Sequence, residues 1–149
     1  MTDVQHLLDK SALRDLAENY AKGADRRDKA LWSAVLAEDC VIEGPGFSIE
    51  GREANLHSID FLGRNFVSTL HRVHNQTVEI SGDSASGETY CTASHRIAGD
   101  GGDTILDWHI RYQDQFRREA GGWRFTRRAL VVDWEEVRPL VAPDHSAQS

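Results

Sequence analysis

Between Leu13 and Asp28 the apolar residues Leu13, Leu16, Ala17, Tyr20, Ala21 and Ala24 recur at helical spacing. They form one stripe, which stops where Asp25 arrives. The pattern predicts a helix ending near Asp25, with Thr2 or Asp3 capping a short first turn and Asp9 or Ser11 a second. Asp28 is placed to cap a further helix, DKALWSAVLAE, whose Leu31, Val35 and Trp32 would face the core. From Cys40 the period shortens. CVIEG, the turn Gly44-Pro45-Gly46 and FSIEG predict a hairpin of two short strands, and Leu56, Ile59, Leu62 and Phe66 return to helical spacing over Arg52 to Phe66.

The pattern then changes for good. TLHRVHNQTVEI, SASGETYCTASHRIA, TILDWHIRYQDQFRR and WRFTRRALVVDW read as four long strands, joined by Gly82-Asp83, by Gly99 to Asp103 and by Ala120-Gly121-Gly122. Four such strands make an antiparallel meander whose apolar face needs a cover, and the N-terminal helices supply it. The order α-α-β-β-α followed by the meander predicts an α+β fold, helices packed on a curled, mostly antiparallel sheet. At 149 residues it is expected to be a single domain, with residues 136–149 a polar, flexible tail.

Composition narrows the functional classes. A formal charge of −7 and a pI near 5.4 argue against nucleic acid, which requires a positive face. Cys40 and Cys91 stand alone without ligand spacing and read as buried small hydrophobes. The acids Asp3, Asp9, Asp15 and Glu18 interrupt the N-terminal region, so neither a signal peptide nor a membrane span is expected, and a cytoplasmic location follows. GDGGD precedes a strand and is no phosphate cradle, and no Ser or Cys nucleophile motif occurs. No metal or organic cofactor is expected.

The candidate chemistry lies in a few side chains. Asp25 sits at the negative end of its helix dipole, which disfavours a carboxylate by about 0.3–1 kcal/mol and asks for a cationic or hydrogen-bonding partner. His71 and His74 open the first long strand, at the mouth of the hollow between sheet and helices. His95 and His109 fall mid-strand and can face either the hollow or solvent. Arg117, Arg118, Arg124, Arg127 and Arg128 cluster on the last hairpin. Parity puts Arg124, Arg128 and Leu130 on one face and Trp123, Phe125 and Arg127 on the other, unless a bulge intervenes. Tyr20 and Asp25 lie about 140 degrees apart around an ideal helix and converge only if its end unwinds. Trp108 stands among alternating apolar positions, and Arg26 and Arg27 read as solvent-facing.

The phrases YAKGADRRD, LHRVHNQTVEISGD and RYQDQFRREAGGWRFTRR, in this element order, resemble the SnoaL-like branch of the nuclear transport factor 2-like superfamily. His71, Asn75, Gly82, Asp83, Tyr112, Asp114, Phe116, Gly121, Gly122, Trp123 and Arg124 carry the resemblance, which spans roughly residues 8 to 135. It implies a cone-shaped α+β barrel. The superfamily holds dehydratases, isomerases, polyketide cyclases, dioxygenase small subunits and non-enzymatic binders, so fold alone leaves function open.

The group of scytalone dehydratase, hexachlorocyclohexane dehydrochlorinase and bile-acid 7α-dehydratase is more similar. That similarity implies a catalytic set of Asp25, His71, Tyr20 and Arg128; from their places on the strands, His74, Trp108 and His109 are the candidate substrate contacts. The dehydrochlorinase carries a lysine where this chain has Tyr20, which favours loss of water over loss of halide. The implied activity is cofactor-independent β-elimination on a small hydrophobic cyclic or polyketide-like molecule. Isomerisation, cyclisation and non-catalytic binding are the alternatives. The resemblance also implies a homo-oligomer, trimer or dimer.

Overall fold

The computed structural model describes residues 2–141. Its elements are α1 (Asp3–Asp25), α2 (Lys29–Val35), β1 (Leu36–Gly44), β2 (Phe47–Glu50), α3 (Arg52–Asn65), β3 (Ser68–Ser81), β4 (Ser84–Ile97), β5 (Thr104–Glu119) and β6 (Gly122–Pro139). The six strands form one sheet in the order β2-β1-β6-β5-β4-β3, antiparallel throughout except where β1 runs parallel to β6. The helices cover one face of this curled, unclosed sheet, giving the expected α+β cone. Leu13 of α1, Leu36 of β1 and Phe125 of β6 meet in the core and are fully enclosed. Each such side chain contributes about 1.5–3 kcal/mol by leaving water.

The first helix is one continuous element capped by Thr2, whose hydroxyl accepts from the Gln5 amide at 3.0 Å. The second cap expected at Asp9 or Ser11 is not used. Asp9 is instead buried in the cone, where it accepts two hydrogen bonds from Arg118, both at 2.8 Å, and one from the Trp123 indole at 3.1 Å. These donors hold its carboxyl far below the usual carboxylate range. α2 is capped by Asp28 as expected but stops at Val35, and it buries Trp32 and Val35 while Leu31 is only half-buried. β6 continues past the predicted tail boundary. Val137, Arg138 and Pro139 pair with Leu106, Ile105 and Thr104, because β5 extends far enough to offer them a ladder. Residues 142–149 of the expected tail lie outside the described residues.

Three bulges decide which side chains face the cone. The register of β3 against β4 shifts between Val73 and Gln76, and Arg14 of α1 donates to the Val73 and His74 carbonyls at that irregularity. The register of β5 against β6 shifts at Gln115/Phe116 and again at His109/Ile110. The first of these inserts Thr126, reverses the parity of β6, and brings Arg128 onto the same inner face as Trp123 and Phe125.

α1 and α2 pack through Gly23. A Cβ added there would lie 2.5 Å from Trp32 Cδ1. Trp32 cannot yield easily, since its indole donates to the Tyr20 carbonyl at 2.9 Å and its ring stacks on Tyr20 at 4.5 Å. Gly23→Ala is therefore expected to destabilise the fold by about 1–3 kcal/mol, read as a lower urea midpoint at unchanged slope.

Candidate active site

Asp25 ends α1, and the backbone around it folds into a Schellman cap. The Asp28 amide donates to Gly23 O at 2.8 Å and the Arg27 amide to Ala24 O at 3.3 Å. The residue in the left-handed position is Arg27, at φ +54°, where glycine is usual and any other residue costs about 1 kcal/mol. The helix stays regular to its end, so Tyr20 and Asp25 do not converge. Asp25 instead reaches across to β3.

There it meets His71. The His71 ring Nδ1 lies 2.7 Å from Asp25 Oδ1, and the His71 backbone N–H donates to Oδ2 at 2.8 Å. The Thr69 hydroxyl donates to Oδ1 at 3.0 Å. Three donors converge on one carboxylate. Burial alone would raise the Asp25 carboxyl, but the His71 and Thr69 hydrogen bonds outweigh it and hold the group below its ordinary value. A carboxylate accepts only, so His71 Nδ1 is the donor in this contact, and in the neutral ring the lone pair then falls on Nε2. The Asp25 carboxylate thus holds the His71 ring by its Nδ1.

Around it the inner face is aromatic and small. His71 pairs in register with Ala93, and Ala93 with Trp108. His95, buried on the same face, lies 4.7 Å from Phe66, 5.1 Å from Trp108 and 6.3 Å from His71, measured between ring centres. Its Nδ1 donates to Leu106 O at 3.1 Å, and burial lowers its affinity for a second proton. It therefore presents a neutral ring, with Nε2 as a further acceptor. The Trp108 indole nitrogen is buried without a hydrogen-bond partner among the described residues.

Tyr20 and Arg128 pack against each other. Tyr20 is buried 4.5 Å from Trp32, and burial raises its phenol well above the ordinary range, so it remains a donor. Arg128 is enclosed beside it, donating to Asp114 Oδ1 at 2.8 Å and Oδ2 at 3.2 Å and lying 4.4, 3.7 and 4.3 Å from the Tyr20, Tyr112 and Phe125 rings. Its charge is balanced by Asp114 within the core.

His74 and His109 do not join the hollow. His74 is three residues from His71 and so faces the other side of β3, where its Nε2 meets Thr92 Oγ1 at 2.8 Å. His109 follows Trp108 directly, and consecutive strand residues cannot share a face. It packs outside against Trp134 at 5.2 Å, beside Glu136. On that outer face Asp107, His109 and Glu136 gather ligand atoms within 4.8 Å of one another, but the Asp107 carboxylate is already engaged by Ser94 and Arg138. Two open troughs of about 680 and 550 Å³ also lie on the outer face, away from His71.

Arg27 corrects the expectation of a solvent-facing side chain. Its guanidinium turns back under the helix end to donate to Ala24 O at 2.5 Å and Thr69 Oγ1 at 2.8 Å. The sequence carried no periodic signal for this, since a left-handed turn reverses the side chain's direction. His95 carried a weak one in its even spacing, four and two residues, from Cys91 and Ala93.

Residues 5–129 match the sequence model of the SnoaL-like domain. The chain belongs to the SnoaL-like family. This SnoaL-like protein is 29% identical over 140 residues to the uncharacterized protein Rv2910c of Mycobacterium tuberculosis, covering 92% of this chain and 94% of that one. In fold it is similar to a type 2 hexachlorocyclohexane dehydrochlorinase, LinA, with TM-score 0.83, 20% identity and coverage of 97% and 99% of the two chains. It is also similar to a proposed scytalone dehydratase of Novosphingobium aromaticivorans, with TM-score 0.80, 23% identity and coverage of 95% and 94%. No helix among the described residues is long and apolar enough to cross a membrane.

Replacing Asp25 by Asn sets an amide NH₂ against donors that need an acceptor. It is expected to cost about 1–3 kcal/mol of stability in urea denaturation. Because the folded-state affinity of Asp25 for its proton is depressed, its contribution is complete above the unfolded value near 3.9 and is lost as pH falls below it. Asp25→Asn should therefore also flatten the acid limb of stability against pH.

Proposed function

We propose that this SnoaL-like protein is a cofactor-independent lyase that eliminates water from a small hydrophobic cyclic or polyketide-like substrate, with His71 as base and Asp25 as its partner. One observation carries the reading, the 2.7 Å contact between Asp25 and His71 Nδ1, which leaves Nε2 as the ring nitrogen available to a substrate. Nε2 removes a proton from the carbon beside a carbonyl, and the electron pair left behind is taken up by the carbonyl oxygen as an enolate. The enolate collapses to the new double bond as the β-hydroxyl departs as water, taking up the proton that the imidazolium returns.

Asp25 stabilises the imidazolium while it exists, by the charge-assisted hydrogen bond that also fixes the tautomer. Phe66, Ala93, His95 and Trp108 supply aromatic and small apolar walls around His71. Such walls exclude water and suit a compact apolar substrate. The Tyr20 phenol remains a donor for a substrate oxygen. Arg128 is read as the support beneath it, since Asp114 and three rings enclose the guanidinium. The fold neighbours named for removal of hydrogen chloride and of water, the dehydrochlorinase and the dehydratase, agree with elimination.

A panel of cyclic β-hydroxy ketones, followed by mass spectrometry, tests the reading. The wild-type protein is expected to release water from at least one member, and His71→Gln to slow that step by about 10²–10⁴-fold with the fold intact by circular dichroism. Turnover that survives His71→Gln, or a product of unchanged mass, contradicts it.

A further inference from the structure

The structure points to Arg27 and Thr69 as positioning residues that hold the Asp25 carboxylate in the plane where it can serve His71, an inference we draw on top of the proton-transfer reading. The Thr69 hydroxyl has a single hydrogen, and it could be spent on several acceptors near the end of α1. Arg27 decides among them. Its Nη1 donates to Thr69 Oγ1 at 2.8 Å and to Ala24 O at 2.5 Å, so one lone pair of the hydroxyl and the helix-end carbonyl are both occupied. The hydroxyl hydrogen is thereby directed to Asp25 Oδ1, 3.0 Å away.

Nη2 of the same guanidinium reaches the Leu62 carbonyl at 3.5 Å, which ties the end of α3 to the same point. Thr69 itself is 3% exposed and pairs in register with His95, so the relay is enclosed and sits one row below the His71 ring. The groups facing Asp25 are His71 and Thr69 of β3, with Arg27 behind Thr69 and His95 of β4 alongside.

The local backbone gives the inference a sharp test. Arg27 occupies the left-handed position of a Schellman cap, where glycine is the favoured residue. If Arg27 served only to finish the helix, Arg27→Gly would relax the turn and move Asp25 only through the lost positive charge, a shift that added salt screens. If it positions Asp25, the same variant folds normally while the carboxylate loses its orienting relay.

Carbon-detected NMR titration of the Asp25 carboxyl, with thermal unfolding in parallel, separates the two. Thr69→Val and Arg27→Gly are each expected to shift the Asp25 titration upward and to keep that shift in high salt, the second without loss of thermal stability. Thr69→Ser, which keeps the hydroxyl, should restore the wild-type curve. An Asp25 titration that does not move in Thr69→Val and Arg27→Gly overturns the inference, whatever the change in stability. Neither readout needs a substrate, so this failure is distinct from failure of the catalytic reading, which is decided by turnover of the His71 variant.

Discussion

The interaction on which the site depends is the convergence of three donors on Asp25. A carboxylate at the C-terminal end of a helix faces the partial negative charge of the last carbonyls and is badly placed on its own. The fold resolves this by bringing the opening of β3 against the helix end, so that the Thr69 hydroxyl, the His71 amide and the His71 ring all donate to it. The same contact that rescues the anion fixes the imidazole. Electrostatic repair of the helix terminus and orientation of the imidazole are one arrangement.

That arrangement differs in kind from the other acids in the fold. Asp9 is answered by Arg118, Asp114 by Arg128 and Asp107 by Arg138, each pair joining strands or a helix to the sheet. A guanidinium does not lose its proton at any ordinary pH, so these pairs are static and hold the cone in register. Asp25 alone among these four has an imidazole as its ring-nitrogen partner. Imidazole is the side chain whose charge changes near neutral pH. Three of the pairings suit structure, and the fourth suits proton transfer.

The long strands and the stripe of α1 were legible because their periods are unbroken and their turns are marked by Gly-Asp and Gly-Gly. The partner of Asp25 was legible through the misplaced charge and the family resemblance together. What periodicity could not show was any consequence of a bulge. Arg128 follows Thr126, an inserted residue that reverses parity, so strict alternation put it opposite Phe125 when the two share a face. His109 failed for the opposite reason, since alternation held and Trp108 already occupied the inner position. Arg27 and Asp9 were invisible because each acts through a contact across the fold, to Thr69 and to Arg118, that no local pattern encodes.

The central claim is that Asp25 holds His71 in the tautomer that leaves Nε2 free as a base. Nitrogen-15 NMR of the histidine rings in the intact protein at neutral pH tests it most directly. His71 is expected to be protonated on Nδ1 and bare on Nε2, and Asp25→Ala to convert it to a mixture of tautomers. A His71 ring protonated on Nε2 in the wild-type protein, or one whose tautomer is unchanged by Asp25→Ala, would contradict it.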